Sequence, residues 1–196
     1  MYGREVRPHG PVNRIHQWYC RSGHWAGVVR QSLFDWTIGG RDLGTDVLEI
    51  GPGTGVVTSM LADEHRCLTT VDPDVSALSV LHARTPDVRP VGGDATQLPF
   101  AAAAFSSVLA FTMLHHIPGR RAQRRLVDEA YRVLAPGGWF IGCDPRANLA
   151  LRLVHLGDTF APVSPVVLRD GLRGAGFEQL SVEASKRYMR WAARRP

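Results

Sequence analysis

From Asp46 onward, short apolar runs rich in β-branched residues alternate with longer stretches whose apolar residues recur at helical spacing. That is the pattern of a parallel sheet with helices on its faces. Strands are predicted near 46–50, 67–71, 88–91, 106–111 and 139–143. A helix follows the first strand, with Val56, Val57, Met60 and Leu61 on one face. A later helix carries Leu126, Val127, Ala130, Val133 and Leu134 on one stripe and stops at the APGG of 135–138, where Pro136 cannot continue it. Near the end, Ser164 and Pro165 suit a cap and first turn, Leu168, Leu172 and Ala175 can face the sheet, and Gly176 suits the closing turn. Residues 177–183 and 187–193 then read as two closing strands. So short a link predicts an antiparallel pair, because parallel strands need a long crossover. The expected fold is α/β, a three-layer sandwich around a mostly parallel seven-stranded sheet whose last strand runs antiparallel.

Residues 1–44 break this alternation. They begin with Pro and Gly and continue as RIHQWYCRSGHWAGVVRQSLFDW, read as helices that pack over the edge of the sheet. Trp18, Tyr19, Trp25, Phe34 and Trp36 can close a pocket or bury one side of the sheet. The expected organisation is a helical N-terminal cap, 1–44, on one domain, 45–196. At 196 residues, 44% hydrophobic and 21% charged, the chain can bury one sizeable core. Its net charge of +5 changes little: Lys186 is the only lysine among 23 basic residues, a bias that reads as codon usage rather than a binding surface. Cys20, Cys67 and Cys143 are odd in number and scattered, which argues against a disulfide framework, and MYGREVRPHG lacks the apolar core of a secretion signal. A reducing, cytoplasmic location is expected. Residues 95–119 contain no Asp, Glu, Lys or Arg, but Pro99, Ser106, Ser107, His115 and His116 interrupt them. A buried central strand with its loops explains them better than a membrane span.

The chemistry starts in VLEIGPGTG, residues 47–55. Glycines between a strand and a helix let a backbone approach a nucleotide. A dinucleotide loop needs G-x-G-x-x-G, yet the sixth residue counted from Gly51 is Val56 and from Gly53 is Thr58. No Gly-Lys-Ser/Thr follows either. Glu49, just before the glycines, would repel a pyrophosphate and attract a cation. The loop therefore suits a nucleoside without phosphates. Two more carboxylates follow in order at predicted strand ends, Asp72 in VDPD and Asp94 in GDATQLPF. In open sheets of this kind, ligands gather at that edge.

Together these stretches resemble the class I S-adenosylmethionine-dependent methyltransferases, particularly the small-molecule type, over roughly residues 45–195. VLEIGPGTG is similar to the first motif of that family, and LAFTMLHHI, 109–117, and LAPGGWFIGCDP, 134–145, match its fourth and fifth strand regions. The resemblance implies a Rossmann-like fold and S-adenosyl-L-methionine as cofactor. It assigns Glu49 to the methionine end and Gly51, Gly53 and Gly55 to the backbone approach. It assigns Asp72, followed by Pro73, to both ribose hydroxyls, which one carboxylate can accept at once. The resemblance likewise implies that Asp94 accepts from the adenine amino group and Ala95 donates from its backbone, and it adds Phe111 to the cofactor set. Ser106 departs from the pattern, which often has Asp there, and is expected to affect only a local turn.

Methyl transfer from a sulfonium is an in-line displacement in which positive charge disappears, so alignment and desolvation supply much of the rate and no metal is required. Where the nucleophile must lose a proton, His115 is the candidate base, because it follows the fourth strand and imidazole titrates near neutral pH. Tyr19 of the cap is a second candidate. A plain hydrogen-bonding role for His115 or His116 stays open. His16, Cys20 and His24 share a spacing of four, but Gly23 and the lack of a fourth ligand leave packing as their reading, and no metal site is expected. Arg120, Arg121, Arg124 and Arg125 form a solvated face able to touch an anionic lipid or phosphate. The expected acceptor is a small or lipid-like molecule, selected by the cap and the loops around 144–160. Enzymes that methylate base amino groups carry Asn/Asp-Pro-Pro-Tyr after the fourth strand, where this chain has AFTMLHH, so nucleic acid is the weaker alternative. RNA methylation at ribose or carbon stays open, as does a silent domain that binds the cofactor or a partner protein. The sequence does not specify an oligomeric state.

Overall fold

The computed structural model describes Asn13, residues 18–64 and residues 67–196. Seven strands form one sheet: β1 Asp46–Ile50, β2 Cys67–Asp72, β3 Arg89–Gly92, β4 Phe105–Phe111, β5 Leu134–Pro145, β6 Glu178–Ala184 and β7 Tyr188–Arg194. Their order is β3-β2-β1-β4-β5-β7-β6. The first five strands pair in parallel, and β7 runs antiparallel to both β5 and β6. Strand order reverses at β1, between β2 and β4, so the switch point where such sheets bind ligands lies at the carboxyl ends of β1 and β4.

The helices are α1 Gly23–Val28, α2 Phe34–Ile38, α3 Val56–Ala62, α4 Val75–Arg84, α5 Gly119–Val133, α6 Leu149–Val154 and α7 Pro165–Ala175. A π-helical turn, Val29–Leu33, joins α1 to α2. Helix α4 starts where the Asp74 side chain accepts from the Ser76 and Ala77 amides, and α7 where Ser164 accepts from Val167, with Pro165 in its first turn. Alternation along the central strands splits the core in two. Leu48, Ile50, Val108, Ala110 and Phe140 face α5 and α7, meeting Leu126, Ala130, Val133, Leu168 and Leu172. Val47, Leu109, Ile141 and Cys143 face the other way, toward α3 and the cap. Both layers are apolar because both sheet faces are covered.

Two expectations change. The cap packs on a face of the sheet rather than over its edge: Val29, Leu33, Phe34 and Ile38 are buried there, and Phe34 stacks on Phe111 at 6.1 Å. The aromatic and aliphatic residues of 29–38 signal burial but do not say which surface receives them. Strand β5 also begins earlier than predicted, at Leu134. The APGG segment is its bulged start, held by Gly137 N–H to Arg195 O (2.8 Å) and Arg195 N–H to Gly138 O (2.9 Å). Helix α5 accordingly ends at Val133. Ser106 has a use that an aspartate would lack: its hydroxyl accepts from the Asp46 amide (3.0 Å) and lies 2.8 Å from the Leu43 carbonyl, tying the entry of β1 to β4. The three cysteines are free. Among the described residues no helix is long and apolar enough to cross a membrane.

Candidate active site

The three carboxylates stand in a row at the carboxyl edge. Glu49 is the fourth residue of β1 and only 1% exposed. Its Oε2 accepts from the Thr58 hydroxyl at 2.6 Å, a contact made because α3 turns back over the glycine loop. Burial pushes the Glu49 carboxyl up to about 7, against the Thr58 hydrogen bond and with a smaller push from the charge of Asp72. A buried carboxylate with no basic partner among the described residues can receive a cation. The loop above it has three left-handed glycines, with φ of 68° at Gly51, 53° at Gly53 and 77° at Gly55. A Cβ at Gly51 would meet Met113 at 2.9 Å and one at Gly55 would meet Leu81 at 2.2 Å, whereas one at Gly53 would meet nothing within 4 Å. Of the three, only Gly53 has open space where a Cβ would stand.

Asp72 ends β2. Its Oδ1 accepts from the Asp74 amide (2.9 Å), which folds Asp72-Pro73-Asp74 into the turn that starts α4. Its carbonyl accepts from Gly93 (3.1 Å), bringing the start of the next loop alongside. Asp94 is exposed there, its Oδ1 accepting from Thr96 at 2.7 Å, while Ala95 is buried beneath it. Phe111 ends β4 with its ring buried against Phe34, so a ligand would meet its backbone rather than its face.

On the other side of the switch point, Leu114–His116 form one 3₁₀ turn. His115, 3% exposed, places Nδ1 2.9 Å from Oδ1 of the fully buried Asp144 at the end of β5. The carboxylate fixes the tautomer with the proton on Nδ1 and the lone pair on Nε2. Gln123 of α5 holds this turn in place: its amide lies 2.6 Å from the Ala161 carbonyl and 3.1 Å from that of Ile117, joining the turn to the loop before α7. That loop puts Phe160 against His115, with ring centroids 5.8 Å apart. Tyr19 belongs to a different cluster, with His24 (6.3 Å) and Trp25 (5.8 Å), within electrostatic reach of Arg187 and Tyr188. Burial pushes its phenol up, as it does that of Tyr188.

The cap meets both halves of this edge. The Thr54 hydroxyl of the glycine loop donates to the Cys20 carbonyl (3.2 Å). Asn13 donates from its side chain to the Val154 carbonyl (2.8 Å) and from its amide to Asp158 (2.6 Å). Of the His16, Cys20 and His24 set, His16 lies outside the described residues. Sequence reading gave no role to Asp144, Gln123, Thr58 or His155. Asp144 alone carried a signal, as a further carboxylate closing an apolar strand. An open cleft of about 540 Å³ sits among Asp46, Cys67, Asp87, Arg89 and Phe100, at the opposite ends of the strands, and holds none of these groups.

Residues 48–142 match a family model described as a methyltransferase domain. The chain is 34% identical over 106 residues to a probable S-adenosylmethionine-dependent methyltransferase of Mycolicibacterium smegmatis, covering 54% of this chain and 40% of that protein. It is also 34% identical over 97 residues to a demethylmenaquinone methyltransferase of Paenarthrobacter aurescens, covering 49% and 37%. The chain thus spans well under half the length of these relatives. Among solved structures, phosphoethanolamine N-methyltransferase 2 of Haemonchus contortus, in complex with S-adenosyl-L-methionine, superposes with a TM-score of 0.71 at 15% identity, over 93% of this chain and 56% of that one.

Proposed function

We infer, from a chain that belongs to the class I S-adenosylmethionine-dependent methyltransferases, that it transfers the methyl group of S-adenosyl-L-methionine to a small-molecule or lipid-like acceptor. The observation that carries this reading is the row of Glu49, Asp72 and Asp94 at the carboxyl edge of β1, β2 and the β3 loop, with Glu49 buried and lacking a basic partner among the described residues. In this reading Glu49 faces the cationic methionine end, and Gly51, Gly53 and Gly55 bring the backbone to the cofactor. Asp72 and Pro73 border the ribose, Asp94 and Ala95 the adenine, and Phe111 lends its backbone. The cofactor supplies an electrophilic methyl group when bound, and the chain aligns and desolvates it.

For an acceptor that must lose a proton, Nε2 of His115 receives it, with Asp144 orienting the ring and stabilising the cation formed. Tyr19 lies on the cap side, next to the stretch that meets the glycine loop, and is the second catalytic candidate. Asn13 and Cys20 bind the cap to the 154–158 segment and to that loop, which supports acceptor selection by the cap and the 144–160 region. Leu149, Leu153 and Leu156 are exposed there, which favours an apolar acceptor. The relative from Paenarthrobacter aurescens is named for demethylmenaquinone, an acceptor of that character.

The test is incubation of the protein with methyl-labelled cofactor and separate lipid, small-molecule and RNA fractions of a cell extract. Label is expected in an apolar or small-molecule product and lost with Asp72→Ala. Label confined to RNA would replace the acceptor class, and no label in any fraction would count against activity.

A further inference from the structure

The fold assembles a cluster of three histidines, of which the methyl-transfer reading uses only His115. His155, which follows α6, lies about forty residues from His115 and His116 in sequence and against both in space. Ring centroids are 4.1 Å apart for His115 and His116, 5.1 Å for His115 and His155, and 5.3 Å for His116 and His155. One nitrogen from each ring lies within 4.8 Å of those of the other two. Nitrogens bound tetrahedrally at about 2.0–2.1 Å from one zinc ion stand a little over 3 Å apart, so small ring rotations close the site.

We propose that His115, His116 and His155 bind one divalent transition-metal ion, zinc by preference, leaving a fourth coordination position open.

Two of the three rings are prepared for this. Nδ1 of His115 faces Asp144 Oδ1 at 2.9 Å, and Nδ1 of His155 faces the Leu151 carbonyl at 2.7 Å. Each partner holds the proton on Nδ1 and leaves Nε2 with the lone pair, the arrangement that carboxylates and carbonyls impose on metal-binding histidines. Asp144 is an independent indication. It is fully buried, and its second oxygen has no hydrogen-bond partner among the described residues. A carboxylate so placed is costly unless positive charge lies close, and a dication across the His115 ring supplies that charge. The donor set, three neutral imidazoles with no thiolate, suits zinc and related ions rather than magnesium or calcium. Three protein ligands with one position open are the pattern of catalytic rather than structural zinc. Phe160, whose ring lies 4.6 Å from that of His155, and Gln123, which ties its loop to the histidine turn, make this a held cluster rather than a chance surface group. A filled site keeps Nε2 of His115 as a ligand, whereas an empty one leaves it to receive a proton, so the two uses exclude each other in any one molecule.

The experiment uses the untagged 196-residue chain stripped with a chelator, then titrated with zinc by calorimetry and with cobalt by visible absorption. One ion per chain and a tetrahedral cobalt spectrum are expected. His155→Ala and His116→Ala should each weaken zinc binding at least tenfold, and Asp144→Asn, which does not touch the ion, by about 10–100-fold. Binding of S-adenosylmethionine reports whether each variant is folded, and its failure in wild type would count against the cofactor reading without bearing on zinc. If a variant is unfolded, imidazole resonances of the wild type decide: zinc should move those of His115, His116 and His155 and leave His24 and His82. No stoichiometric binding by wild type, unchanged affinity in folded His155→Ala and His116→Ala, or shifts confined to other histidines would overturn the site.

Discussion

Replacing Glu49 by Gln separates what the site costs the fold from what it does for the ligand. Burial raises the Glu49 carboxyl from an ordinary 4.5 to about 7 in the ligand-free protein. A carboxyl raised on folding favours the native state below its unfolded value, and that advantage is lost as pH rises through the folded one. At pH 8 the ionised group therefore costs up to about 3 kcal/mol. Gln has the same shape, can still accept from Thr58, and carries no charge to desolvate. Glu49→Gln should accordingly melt several degrees above wild type at pH 8, and close to it near pH 4.5, where Glu49 is protonated in the native state and at the midpoint of its titration in the unfolded one. The same change removes the charge proposed to face the sulfonium and ammonium of the cofactor, so affinity should fall at least tenfold, by about 1.4 kcal/mol or more. Calorimetry gives the affinity and thermal unfolding the stability. A variant less stable than wild type at pH 8, or one that keeps full affinity, would refute the idea that Glu49 is held charged for a cation.

Wild-type affinity for the cofactor should be roughly tenfold weaker at pH 6 than at pH 7.5, because binding must ionise Glu49; the range stays below the titration of the cofactor amino group near about 8. A flat profile would contradict this, and Glu49→Gln should flatten it. Gly55→Ala meets both a positive φ and Leu81, and should cost at least about 2 kcal/mol in denaturant unfolding. Gly53→Ala has open space around it, so it should cost only about 1 kcal/mol yet lose cofactor affinity at least tenfold. Gln123→Ala leaves the Ile117 and Ala161 carbonyls without their donor and should destabilise by about 1–3 kcal/mol while sparing cofactor affinity.

The sheet was legible because each of its inner strands is an apolar run between turn residues, and the antiparallel close because only a short link separates β6 from β7. Glu49, Asp72 and Asp94 were legible for a related reason: each stands at or just past the carboxyl end of such a run, where an open sheet exposes its ligand edge. The helices of the cap are legible in its sequence, but its seat on the Phe111 face is not, since packing partners are set by the whole fold. The APGG stretch reads locally as a stop, and the pairing of Gly137 and Gly138 with Arg195 made it strand instead. His155 had no local signal. It follows a short helix with exposed leucines, and only the return of the 149–161 segment to the end of β4 brings it to His115.

Equilibrium binding of S-adenosyl-L-methionine to wild type and to Asp72→Ala tests the central claim most directly. One cofactor per chain is predicted for wild type, with affinity at least tenfold weaker in the variant, because Asp72 is assigned two hydrogen bonds to the ribose. No heat of binding to well-folded wild type, or equal affinity in the two proteins, would contradict it.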